Sequence, residues 1–128
     1  MRFWRIVAGD PEFRSKILGD WLRKNYISIG YDDPNQVSRR RFDEMEIGDR
    51  VVVVADGYIF AIGEVTSELY MMEEPDLYDY RRDVLWYKVT KERYDEFPPS
   101  LKNKLSYAQT MIELSRDEWE SLVLHLIH

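Results

Sequence analysis

Four aromatic residues of this sequence stand where a flat ring could meet a planar partner: Trp21, Tyr31, Tyr70 and Trp86. Two such rings can sandwich a nucleobase for about 1–3 kcal/mol per base, and a methyl group on that base adds apolar contact inside the same slot. Tyr31 has the strongest local argument. It closes an alternating stretch, follows Gly30 and precedes the polar turn Asp32-Asp33-Pro34-Asn35, so its ring can face a cavity mouth. Trp21 shares helical spacing with Phe13 and Leu18, which favours core packing, and Trp4 and Trp119 are assigned to the core.

Other chemistries find little support. Cysteine is absent, which removes thiolate nucleophiles, thiolate metal sites and disulfides, and a reducing cytoplasmic setting is expected. His125 and His128 lie three apart at the end of the sequence with no further nitrogen or sulfur ligand to complete a zinc shell, so neither a metal nor another cofactor is expected. No histidine is placed to activate a hydroxyl nucleophile. Asp32 with Asp33 and Glu73 with Glu74 read as solvating carboxylates unless a cleft holds them. The glycines at 9, 19, 30, 48, 57 and 63 never cluster into a loop that cradles phosphates. Binding without catalysis is the expected activity.

A net charge of −6 argues against a general electrostatic grip on nucleic acid, whose affinity comes mainly from neutralised phosphates. Any such surface must be local. The basic stretches available are Arg39-Arg40-Arg41, Arg81-Arg82, and Lys102 with Lys104; the competing explanation is a solvated face balanced by neighbouring carboxylates.

The elements that must position these residues follow from pattern. Phe3 to Val7 reads as a strand, ending at Gly9-Asp10-Pro11, where Asp10 can cap a helix that runs to about Lys24. Its inward face is Phe13, Ile17, Leu18, Trp21 and Leu22, with Arg14, Lys16, Asp20 and Arg23 left wet. Ile27, Ile29 and Tyr31 alternate as a second strand, and a short helix from Ser38 to Met45 carries Phe42 inward. Arg50 to Ala55 is a β-branched run that implies burial on both faces; Asp56-Gly57 turns it into a second arm, Tyr58 to Glu68. Gly63 in that arm points to a bulge or a close backbone approach. Leu69 to Asp83 reads as a long loop, Val84 to Thr90 as a strand with Trp86 and Tyr87 on opposite faces. A turn at Phe97-Pro98-Pro99-Ser100, one helical turn over Leu101 to Leu105, and a strand from Thr110 to Leu114 follow. Ser115 and Glu118 form a capping box for a last helix with Trp119, Leu122, Val123 and Leu126 on one face. The last helix runs to Ile127-His128 without a stop signal, so continuation into a longer chain is expected.

This order gives one α+β domain over 1–128, a mixed and partly closed β-barrel flanked by helices. The start, Met1-Arg2-Phe3-Trp4-Arg5, interrupts its apolar run with charge and lacks the long segment of a signal peptide or membrane span, so no membrane partner is expected.

Several pieces in this order resemble the EVE and YTH branches of the PUA-like fold. They are Phe3-Trp4-Arg5-Ile6, Ile27-Ser28-Ile29-Gly30-Tyr31, Phe42 with Met45-Glu46-Ile47-Gly48-Asp49-Arg50-Val51-Val52, Ile59-Phe60-Ala61-Ile62-Gly63-Glu64-Val65, and Leu85-Trp86-Tyr87. Within that superfamily the chain is most similar to the N-terminal specificity domains ahead of the GTP-driven motor in archaeal McrB-type restriction systems. The resemblance implies a module that flips a modified base of DNA, N6-methyladenine first and a modified cytosine second, into an aromatic cage, with a motor domain and a nuclease subunit as further partners. On the same resemblance the cage aromatic after the second strand falls on Tyr31, where these families usually carry tryptophan, and a second wall comes from Tyr70, Tyr78 or Trp86. The asparagine that YTH domains place after their first strand has no counterpart at Val7-Ala8-Gly9. Asp32, Asp33 or a backbone carbonyl near Ser28 would then accept the N6 hydrogen. Arg39, Arg40, Arg41, Arg81 and Arg82 would hold the backbone phosphates.

Two other readings remain open. One is a PUA-like reader of RNA that uses stacked bases and 2′-hydroxyls. The other is a hydrolase of modified nucleosides like the ASCH branch, with Thr66, Glu64 and Lys88 as its polar set.

Overall fold

The structure, a computed structural model, describes residues 1–8, 14–72 and 80–126. Within them the chain forms β1 (Phe3–Val7), α1 (Arg14–Lys24), β2 (Tyr26–Ile29), α2 (Val37–Glu44), β3 (Arg50–Ala55), β4 (Tyr58–Val65), β5 (Tyr70–Met71), β6 (Tyr80–Arg93), α3 (Pro99–Leu105), β7 (Met111–Leu114) and α4 (Arg116–Leu126). The expected cap at Asp10 and the helix residue Phe13 lie outside the described residues.

The strands form one curled, seven-stranded sheet in the order β2-β6-β4-β3-β1-β7, with β5 also on β6. β1 runs parallel to β3, whereas the remaining pairs are antiparallel, which makes the sheet mixed. This is the α+β, PUA-like architecture of the EVE and YTH type, a partly closed barrel with flanking helices. β3 is buried along Val51–Ala55 because it lies inside the sheet and is covered on both faces. One cover is a cluster of Trp4, Ile6, Ile17, Trp21, Ile27 and Phe42 with α1 and α2; the other gathers Val52, Ile59, Leu101, Trp119 and Leu122 with α3 and α4. Each buried Ile, Leu or Val contributes about 1.5–3 kcal/mol to these clusters.

The hairpin turn has Asp56 at φ 54° and Gly57 at φ 86°, the left-handed pair that a two-residue turn between twisted strands requires. At Gly63 a Cβ would lie 2.5 Å from the Leu85 carbonyl oxygen and 2.8 Å from the Trp86 ring, so the register shift between Ile62 and Gly63 accompanies a close approach only glycine allows. The capping box forms: Ser115 N donates to Glu118 Oε1 at 2.7 Å, and Glu118 N to Ser115 Oγ at 3.1 Å.

Three expectations are corrected. Part of the expected loop 69–83 is sheet, since Tyr80–Asp83 pairs with β2 and Tyr70–Met71 with β6. Tyr31 lies beyond β2, whose four residues are all buried, so the alternation over 27–31 is not a strand period. Asp20 is buried, because Lys16, Arg23 and Lys24 surround its carboxylate and hold it below the usual carboxylate range, Lys16 foremost.

Candidate nucleic-acid interface

Tyr31 is 40 % exposed and held at both ends. Its hydroxyl shares a 3.0 Å hydrogen bond with Thr110 Oγ1, and its carbonyl accepts from Arg39 Nη1 at 3.0 Å. Thr110 in turn gives its carbonyl to Val7 N at 2.8 Å, so the ring stands over the C-terminal end of β1. Arg39 Nη1 also reaches the Asp32 carbonyl at 3.3 Å, Arg39 Nε pairs with Asp43 at 2.9 Å, and the guanidinium lies 3.6 Å from the Tyr80 ring centroid. An exposed aromatic with both ends pinned loses little entropy when a flat partner stacks on it. Among the described residues no other ring stacks against Tyr31. Tyr78 lies outside them.

The other expected site residues separate. Trp21 is fully buried and donates from Nε1 to Ser28 Oγ at 2.8 Å, and Trp86 Nε1 donates to the Trp21 carbonyl at 3.1 Å. Trp21 and Ser28 therefore belong to the core and not to an open slot, a correction that follows from the helical spacing of Trp21 with Ile17 and Leu18. Trp86 is half-buried against the same core. Tyr70 pairs in register with Arg81 and donates to Asp83 at 2.6 Å, and burial with that carboxylate raises its hydroxyl to about 12. Asp32 and Asp33 are exposed, with Asp33 Oδ1 accepting from Asn35 N at 2.9 Å.

The five arginines divide as well. Arg82, 2 % exposed, donates to the Phe42 and Asp43 carbonyls at 3.0 and 2.9 Å, and Arg39 is 9 % exposed. Both are buried and bonded into the fold, although Arg82 Nη1 has no acceptor among the described residues, and that burial corrects their expected phosphate role. Arg81 lies 4.2 Å over the Tyr26 ring. Arg40 is exposed. Arg41 donates to Gln109 Oε1 and, at 2.8 Å, to the Met111 carbonyl.

Arg40 and Arg41 line an open groove of about 500 Å³ together with Arg2, Lys104, Tyr107 and Gln109. Lys104 belongs to a basic stretch noted in the sequence, whereas Arg2, Tyr107 and Gln109 were not anticipated as site residues, because position 2 and positions 104–109 are brought together only by the β1-β7 pairing. The carboxylates on its wall, Glu44 and Glu113, both accept from Arg2. That leaves the groove basic on an acidic molecule.

The polar set considered for nucleoside hydrolysis is dispersed in its bonding. Glu64 pairs with Arg50 and accepts from the Tyr87 hydroxyl, Lys88 pairs with Glu92, and Thr66 is exposed. Among the described residues no group of three or more metal-ligating side chains converges, and no helix is long and apolar enough to cross a membrane.

Comparison with solved structures places the architecture among YTH domains and related PUA-like folds. The complex of the YTH domain-containing protein mmi1 with RNA is 15 % identical, with a TM-score of 0.70 over 97 % of this chain and 80 % of that one. The YTH domain of Zygosaccharomyces rouxii MRB1 with N6-methyladenosine RNA is 15 % identical, with a TM-score of 0.64 over 97 % of this chain and 85 % of that one. Rpa0253 from Rhodopseudomonas palustris is 16 % identical, with a TM-score of 0.67 over 100 % of this chain and 96 % of that one. The chain belongs to the family described as Domain of unknown function (DUF8426), which matches residues 35–115. No curated protein sequence matches it.

Proposed function

We propose that this chain is a binding module that reads a modified base in nucleic acid, stacking one unstacked base on Tyr31 while Arg40 and Arg41 hold the strand. The observation that carries it is the exposed, doubly anchored Tyr31 ring beside a basic groove. N6-methyladenine is the favoured base, because the methyl group adds apolar contact to the stack and because a similar fold is known with N6-methyladenosine RNA.

Magnitudes favour a single-stranded target. Extruding a base from a duplex costs a few kcal/mol, whereas stacking on one ring returns about 1–3 kcal/mol. An RNA strand with unstacked bases avoids that cost, and two of the similar structures are RNA complexes. DNA is the second reading. It rests on the sequence resemblance to McrB-type specificity domains, and with it go a single domain over 1–128, a cytoplasmic setting, and a motor and nuclease as partners.

The test is fluorescence anisotropy with matched RNA and DNA oligonucleotides, with and without N6-methyladenine. Wild type should prefer the modified RNA, and Tyr31→Ala should lose about 10-fold or more of that affinity while stability falls by less than about 1 kcal/mol. Equal discrimination by Tyr31→Ala would overturn the reading; preference for modified DNA would exchange the two polymers.

A further inference from the structure

Bonded to Gln109 of the groove is a buried cation with no ion-pair partner among the described residues. Arg5 is fully buried in β1, an arginine in an otherwise apolar strand. Its Nη2 donates to the Gln109 carbonyl at 2.8 Å, but among the described residues Nε and Nη1 have no acceptor. Burial, the largest cause, and the neighbouring Arg41 charge disfavour its charged form, with the Tyr94 phenol acting the other way, and the guanidinium is pushed down to about 10. A charged N–H group buried without an acceptor loses its hydration and gains nothing in return, so this arrangement needs a reason.

The surroundings point to an anion. Gln109 joins the two arginines, its carbonyl accepting from Arg5 and its side-chain oxygen from Arg41. Neither guanidinium has a carboxylate partner among the described residues, where the two acids of the groove wall are taken up by Arg2, which holds the Glu113 carboxyl below its usual range. The next residue, Thr110, carries the bond to the Tyr31 hydroxyl. The stacking ring and the uncompensated dication are thus anchored on consecutive residues.

We propose that Arg5 and Arg41, spanned by Gln109, form the seat of a single phosphate, that of the nucleotide adjoining the base stacked on Tyr31; the assignment to a nucleotide rests on the reading above. Arg41 contacts the phosphate from the groove floor, and Arg5 supplies charge from below, where low local polarity strengthens its pull. Gln109 holds the two guanidiniums apart, so that an anion in the groove meets Arg41 directly and feels the fully buried Arg5 through its charge alone.

Two measurements test this on the full chain. The first is thermal unfolding in inorganic phosphate against sodium chloride at equal ionic strength. Phosphate should raise the Tm of wild type and leave Arg5→Met and Arg41→Gln unmoved, while Arg5→Met in chloride melts at or above wild type because an uncompensated buried charge has gone. Should Arg5→Met not fold, Arg41→Gln, at the groove surface, carries the test. The second is binding of the modified oligonucleotide with an uncharged methylphosphonate link at the modified nucleotide. That link should weaken wild type about 10-fold and cause no further loss in Arg41→Gln. Phosphate without effect on wild type, together with a methylphosphonate strand that binds as well as the natural one, would remove the seat and leave the Tyr31 reading standing. Phosphate stabilisation that persists in Arg5→Met would likewise overturn it. Phosphate stabilisation lost in both variants, in a protein that binds none of the oligonucleotides, would establish the seat and sink the base-reading function.

Discussion

Two faces of α2 carry adjacent arginines with opposite fates. On the inner face Arg39 shares a helical stripe with Phe42 and Asp43, and its fork is filled by the Tyr31 and Asp32 carbonyls and the Asp43 carboxylate. Arg82 reaches the same end of the helix from β6 and donates to its Phe42 and Asp43 carbonyls, the first of which also accepts from the C-cap Met45 N at 3.4 Å. On the outer face Arg40 is exposed and Arg41 lines the groove, joined through Gln109 to the buried Arg5. Side chains of one type, one residue apart, are sorted by a turn of about 100° per residue and by whether carbonyls already occupy the donors. Runs of arginine are thus poor guides to phosphate contact until the acceptors are counted.

The sharpest way to break this contrast is to remove an inner arginine. Arg82→Ala takes away two side-chain hydrogen bonds to helix-terminal carbonyls and leaves a void beside Phe42, so urea unfolding should show a loss of about 3 kcal/mol. A loss below about 1 kcal/mol would mean that Arg82 is not the clamp its hydrogen bonds imply. Arg39→Gln comes next, with about 1–2 kcal/mol lost as the Asp43 pair and the contact with Tyr80 disappear. Because Arg39 positions the Tyr31 carbonyl and makes no phosphate contact, its loss should weaken binding of the modified oligonucleotide at every salt concentration alike. A changed salt slope in Arg39→Gln would move that arginine to the outer set.

Legibility in the sequence followed the range of the forces involved. β1 and β3 were readable to the residue, as were the Asp56-Gly57 turn and the Ser115/Glu118 box, because strand periodicity, left-handed φ and capping are decided within a few neighbours. The start of β6 was not. Tyr80-Arg81-Arg82-Asp83 has the charge of a solvated loop, and only the α2 carbonyls, about forty positions away in sequence, make Arg82 an interior residue. Asp20 misled in the same way, since its buried state depends on three cations closing over it. Of the candidate site, Tyr31 could be placed at a surface from Gly30 and the following polar turn, whereas Gln109 and Thr110 carry no motif that marks them. Arg5 offered a usable signal: a charge at an inward strand position, between Trp4 and Ile6, must meet either a partner or a ligand.

The smallest effect expected is also the cleanest measure of the outer face. Among the described residues the Arg40 side chain makes no hydrogen bond or ion pair, and it is exposed, so Arg40→Ala should change stability by no more than about 0.5 kcal/mol. If it holds a backbone phosphate, the variant binds several-fold more weakly at low salt, the deficit shrinks as salt rises, and the slope of log affinity against log salt falls by about 1. The preference for the methylated base should stay as in wild type, because a phosphate contact positions the strand without reading it. An unchanged slope would confine the strand to the Arg41 side of the groove, and the contrast would then lie between Arg41 and all of its neighbours on α2.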